Sequence, residues 1–184
     1  QPEASQGTLQ AIFEYQTLIA QLTGMDVSNA SLYDGATAAV EAVLMALGAT
    51  QRYCKVVVAA SVHPEYRQTL ATYLANLEPE MVTVGAPQGT LAVDDLIAAV
   101  DDQTACVVVQ HPNFFGCLED VRALADAAHR AGALFVAIVD PISLGLLTRP
   151  GDYGADLVAA EGQPLGNPMA FVGPYLGILA CREQ

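Results

Sequence analysis

The 184-residue chain has no tryptophan, a single lysine and only seven basic residues, set against 20 Asp and Glu, for a formal net charge of -13 at pH 7. A field of that sign repels phosphate backbones and anionic lipid headgroups, which argues against nucleic acid and membrane surfaces as partners. Long apolar runs are also missing: none approaches the roughly 20 residues that a membrane-spanning helix needs. Yet 53% of the residues are hydrophobic and only 15% charged, and mean hydropathy is +0.35. That apolar surface has to be enclosed in a sizeable core, and one domain over residues 1–184 is the expectation. The cysteines Cys54, Cys106, Cys117 and Cys181 form no C-x-x-C pair, which removes the usual zinc and redox patterns and suits reduced, packed thiols in a cytosolic-type compartment. No G-x-G-x-x-G or G-x-x-x-x-G-K-[ST] follows any strand candidate, so the common nucleotide fingerprints are absent. Gln1 to Gln10 lacks an initiator Met, a basic segment and an apolar segment, so the chain reads as an excised piece without a signal peptide.

What is present is alternation. Leu9, Ile12, Phe13, Ile19 and Leu22 recur at helical spacing, with Ser5 able to cap and Gly24 placed to stop the helix. The break Asp34-Gly35-Ala36-Thr37 precedes a helix, Ala38 to Leu47, that is apolar nearly all round apart from Glu41 and is therefore expected to be buried. Strand and helix then alternate: strand 55–60, helix 65–77, strand 81–85, helix 93–100, strand 104–110, helix 118–131, strand 134–140. The strands are continuous Val/Ile/Phe runs, covered on both faces. Glu119 and Asp120 fall in the first turn of their expected helix, where the macrodipole favours carboxylates. This order predicts an α/β, three-layer, doubly wound, mostly parallel sheet. After Asp140 the chain becomes loop-rich, with strand candidates at 156–160 and 175–181, the latter expected to pair antiparallel or as a local hairpin.

Ligands in such sheets sit beyond the carboxyl ends of the strands. The residues to weigh are therefore Ser61 to Pro64, Gln110 to Gly116, Asp140 to Ser143 and Gly162 to Asn167, with His63-Pro64 and His111-Pro112-Asn113 the clearest. Gly35-Ala36-Thr37 has the form of a phosphate-binding turn at a helix N-terminus, but the Asp34 carboxylate would occupy those N–H groups and repel a phosphate. Asp140 could hold a proton on a cofactor ring nitrogen or simply cap its loop. His129 suits the last turn of its helix and has no assigned role. Lys55, the only lysine, precedes its strand at the end opposite the crevice, where no Schiff base could be reached.

Three runs carry a family resemblance: Gln1-Pro2-Glu3 with Ser5-Gln6-Gly7 and Tyr33-Asp34-Gly35; His111-Pro112-Asn113-Phe114-Phe115-Gly116; and Glu161-Gly162-Gln163-Pro164-Leu165-Gly166-Asn167-Pro168. On these the chain resembles the P-protein of the glycine cleavage system, in its two-subunit form, on the side of the first subunit. The resemblance implies part of the large domain of a fold type I pyridoxal-phosphate enzyme, with an N-terminal part and a small C-terminal domain lying outside this sequence. It implies a cytoplasmic heterotetramer in which the Schiff-base lysine belongs to subunit 2, glycine is the substrate and the lipoyl H-protein accepts the aminomethyl group. No cofactor is then bound covalently to this chain. Carried over by position, Gly35, Ala36 and Thr37 stand at the phosphate loop, His63 at the ring-stacking position, Asn113 near the ring oxygen, Asp140 at the ring nitrogen and Gln163 where the lysine would be. Such a site is degenerate. A self-contained pyridoxal enzyme whose lysine lies past Gln184, and a small-molecule-binding α/β domain, are the alternatives.

Overall fold

The computed structural model describes residues 2–169, 171 and 173–183; Gln1, which opens the first of the three runs, lies outside them. Helix α1 (Pro2–Thr23) leads to a short strand β1 (Val27–Ser28), helix α2 (Gly35–Thr50), β2 (Lys55–Ala59), α3 (Pro64–Leu74), β3 (Glu80–Val84), α4 (Val93–Ala99) and β4 (Thr104–His111). Then follow α5 (Val121–Arg130), β5 (Leu134–Val139), a 3-10 turn (Pro141–Gly145), α6 (Pro150–Tyr153), β6 (Leu157–Glu161), a second 3-10 turn (Gln163–Leu165) and β7 (Gly177–Cys181).

The strands form one seven-stranded sheet in the order β1-β7-β6-β5-β4-β2-β3. Pairings from β3 across to β6 are parallel, and β7 runs antiparallel to both β6 and β1. Helices α2 and α3 pack together on one face, with α2 lying over β4 to β7, and α4 and α5 pair on the other. The expected three layers are present. The core is small and branched: Val56, Val57 and Val58 of β2, Val107 and Val108 of β4, and Phe135 and Val136 of β5 are each completely buried. Against them α2 lays Ala38, Ala39, Ala42 and Ala46, whose lack of bulk lets helix and sheet approach closely.

Boundaries follow local chemistry. Gly24 adopts φ +71° and ends α1, as its position suggested. Helix α5 begins three residues later than its hydrophobic pattern implies, because Asp120 is the N-cap, accepting from the Ala123 N–H at 3.3 Å. Glu119 is thus not a first-turn carboxylate; it lies outside the helix and is buried. His129, in the last turn of α5, binds the Asp156 carboxylate at 2.8 Å. All four cysteines are free, and Cys54 is exposed where a packed thiol was expected. Among the described residues no helix is long and apolar enough to cross a membrane.

Candidate functional site

The sheet order places β2 between β3 and β4, so the chain winds outward in one direction from β2 and in the other from β4. The crevice beyond the carboxyl ends of these two strands is the switch point at which open α/β sheets hold ligands. A cavity of about 450 Å³ opens there, lined by His63, Tyr66, Gln110, Asp140, Glu161 and Pro164 among others. The strand-end segments picked out by sequence supply His63, Gln110, Asp140, Ile142 and Pro164 to it; Tyr66 and Glu161 fall outside those segments.

Two of the lining residues, Tyr66 and Glu161, lie directly against the N-terminus of α2. Asp34 is its N-cap and forms a capping box: its carboxylate accepts from the Thr37 N–H at 2.7 Å, while the Thr37 hydroxyl lies 3.3 Å from the Asp34 N–H, which donates to it. The next free donor, the Gly35 N–H, goes to Glu161 Oε2 at 3.0 Å. Glu161 Oε1 accepts two more backbone N–H groups, from Gln163 and Leu176, each at 2.9 Å. One carboxylate thereby ties the start of α2, the turn after β6 and the entry to β7 into a single unit. Gly35 must be glycine, since a Cβ there would come within 2.2 Å of the Tyr66 hydroxyl and 2.9 Å of the Glu161 backbone nitrogen. Burial, and then the nearby Glu161 and Asp34 carboxylates, push the Tyr66 phenol far above its ordinary range and keep it protonated.

His63 caps α3, its Nδ1 accepting from the Glu65 N–H at 3.2 Å, and its ring meets Phe114 edge-on at 4.8 Å between centroids. The Gln110 side-chain oxygen holds the His63 N–H at 2.8 Å. Asp140 is exposed at the mouth and caps the following 3-10 turn by accepting from the Ile142 N–H at 3.0 Å, so the capping role allowed by sequence is realised. Asn113 is placed differently from its expected position beside a cofactor. It is 4% exposed, its amide donates to Gly89 O and to Glu119 Oε1, both at 2.7 Å, and its oxygen accepts from the Phe115 and Cys117 N–H groups, both at 3.0 Å. Its hydrogen-bonding capacity is spent on its own loop and on the Gly89 segment packed against it. Gln163 opens the short 3-10 turn at the crevice edge, and its side-chain amide donates to Pro174 O at 3.3 Å. No helix or strand continues from Gln163 to Asn167. Lys55 lies at the far end of β2, paired with Asp101.

The hub behind this surface is Glu119, which sequence reasoning misplaced on a helix. At 5% exposure its carboxylate accepts from Ser61 Oγ and Asn113 Nδ2, both at 2.7 Å, and from the Leu91 N–H at 2.8 Å. Its own N–H donates to His111 Nδ1 at 3.1 Å. Burial holds His111 below the usual imidazole range, only partly countered by Glu119, so the ring is neutral and free to accept that bond.

The residues present do not fit pyridoxal phosphate. Two of the N–H groups that would cradle its phosphate are taken by carboxylates, the space beside Gly35 is filled, and no lysine reaches the crevice. Oxygen acceptors at such positions compete directly with a bound phosphate.

The family model for the glycine cleavage system P-protein matches residues 1–184. A protein of Desulforamulus reducens is 52% identical over the whole chain and one of Geotalea daltonii 56%, each named "probable glycine dehydrogenase (decarboxylating) subunit 1". This chain spans 41% of the length of each. Among solved structures, a glycine decarboxylase (P-protein) of the glycine cleavage system in inhibitor-bound form superposes with TM-score 0.92 at 51% identity, over 100% of this chain and 41% of that one. A Campylobacter jejuni protein assigned as an O-acetylhomoserine (thiol)-lyase, carrying N′-pyridoxyl-lysine-5′-monophosphate, gives TM-score 0.72 at 15% identity, covering 92% of this chain and 39% of its own. That likeness is one of fold alone.

Proposed function

The chain belongs to the glycine cleavage system P-protein family, and from that premise we propose that it acts as the lysine-less subunit of a two-subunit glycine decarboxylase. The observation that carries this reading is the position of its one lysine: Lys55 is held by Asp101 and the Ala99 carbonyl at the amino end of β2, and no lysine is among the described residues lining the crevice. Without a placed amine this chain supplies no covalent anchor. The cofactor and its lysine then belong to the second subunit, where pyridoxal phosphate provides the sink for the electrons released on decarboxylation. Glycine is the substrate of the assembly, the lipoyl H-protein takes the aminomethyl group, and the setting is cytoplasmic.

The contribution of this chain is to shape and stabilise its partner. In support, large apolar side chains are exposed in the segments that follow β1, β4, β5 and β6: Tyr33 is 88% exposed, Leu146 96% and Met169 82%, with Phe114, Phe115 and Ile142 each about half exposed. Exposed apolar area on that scale marks an interaction surface. The test is glycine-dependent exchange of labelled carbon dioxide with the second subunit alone and with both subunits present. Activity only from the pair is expected; full activity from the second subunit alone refutes the proposal.

A further inference from the structure

We infer that the N-terminus of α2 is an anion site occupied from within by the carboxylates of Glu161 and Asp34, and that the crevice therefore turns away phosphate-bearing ligands whatever the rest of their structure. The inference stands on the geometry of this chain and is independent of the subunit assignment. A helix N-terminus attracts an anion because its first N–H groups lack intrahelical partners and the macrodipole favours negative charge. Here Asp34 takes the Thr37 N–H at 2.7 Å and Glu161 takes the Gly35 N–H at 3.0 Å, with two further N–H groups converging on the same Glu161 carboxylate. That is the coordination expected of a bound oxyanion, supplied by a side chain. The Tyr66 hydroxyl closes the remaining space beside Gly35. No Lys or Arg is among the described residues lining the crevice, whereas Glu65, Asp140 and Glu161 are, so an incoming phosphate dianion meets like charge and no cation.

Backbone amide shifts in the ¹⁵N-labelled full chain read the site directly. Titrating the wild type with inorganic phosphate, and separately with pyridoxal phosphate, is expected to leave the amides of Gly35, Thr37, Gln163 and Leu176 unmoved. Glu161→Ala empties a carboxylate-sized space with N–H donors pointing into it. Acetate is then expected to shift the Gly35, Gln163 and Leu176 amides saturably and to raise the melting temperature of this variant but not of the wild type. Asp34→Gly is the second variant, because glycine is a tolerated N-cap and the fold survives the change. It frees the Thr37 N–H, and phosphate is expected to move the Thr37 amide with an affinity about tenfold or more above any wild-type response, as loss of one charge-assisted competitor allows. Saturable movement of these amides by phosphate in the wild type overturns the inference. So does a folded Glu161→Ala that ignores acetate, or an Asp34→Gly that gains nothing for phosphate.

Discussion

Glutamine in place of Glu119 tests whether the loop structure around the crevice depends on one buried carboxylate. The side chain accepts three hydrogen bonds, from Ser61, Asn113 and the Leu91 N–H, at 5% exposure. A glutamine of the same shape can keep its oxygen toward Ser61 and Asn113, but its amide NH₂ then faces the Leu91 N–H. The charge-assisted bond to Leu91 is lost and two buried donors, the Leu91 N–H and the new amide, are left without a partner, for a combined cost of about 2–6 kcal/mol. Against a total stability on the order of 5–15 kcal/mol this is a large fraction. Glu119→Ala strands all three donors and is expected to cost more. Urea unfolding is the assay: the midpoint should fall while the slope stays the same, since the surface exposed on unfolding is unchanged. Combining Glu119→Ala with Ser61→Ala should give a loss smaller than the sum of the single losses, because each change alone already removes the bond they share. A loss below about 0.5 kcal/mol for Glu119→Gln, the range of ordinary surface changes, would refute the assignment of Glu119 as a hub.

Gly35→Ala should destabilise the chain by about 1–3 kcal/mol through overpacking, and Tyr66→Phe should recover part of that loss by removing the hydroxyl that the new methyl strikes; no recovery in thermal melts would locate the strain elsewhere. Alkaline pH should weaken the fold, because burial raises the Cys106 thiol from 9.0 to about 12. Between those values the unfolded chain has lost the proton that the folded chain keeps, so stability declines by about 1.4 kcal/mol per pH unit from this group. Stability is intact below pH 9, and Cys106→Ala should flatten the decline between pH 9 and 11 in denaturant titrations, with equal slopes in both proteins counting against it. Gln163→Lys should not create a pyridoxal site, since the phosphate donors remain filled; a borohydride-stable adduct on the new lysine at stoichiometric cofactor would show otherwise.

Much of the architecture was legible because the strands are uninterrupted β-branched runs and the intervening segments carry helical periodicity, two signals that survive without tertiary information. The two-residue β1 carries too little pattern to be seen; it exists because β7 offers an edge, pairing Val27 with Cys181 and Ser28 with Ala180. At the site, His63 and Asp140 were visible through position alone, as polar residues just past hydrophobic strands. Glu119 and Glu161 were not, because a carboxylate that gathers backbone N–H groups has no sequence signature; its partners are remote in the chain, such as Leu91 for Glu119 and Gly35 for Glu161. The bonds of Asn113 were hidden for the same reason. Its position past β4 suggested the crevice, but its four bonds within and beneath its loop decide its role.

A crevice that has no phosphate to bind still has to satisfy the amino end of a 16-residue helix buried against the sheet. Unpaired N–H groups there would each cost about 1–3 kcal/mol once removed from water. Deleting a cofactor lysine alone would leave that debt in place whenever the phosphate was absent. The capping box of Asp34 and Thr37, together with Glu161, takes up the Asp34, Gly35 and Thr37 N–H groups, with negative charges that complement the helix dipole as a phosphate would. The cost is selectivity: the acceptors that make α2 self-sufficient are the ones that close the crevice to phosphate. Stability of the empty fold and affinity for the cofactor therefore oppose each other at the same N–H groups. Adding a lysine would change neither, so the two carboxylates weigh more against a bound phosphate than the missing amine does.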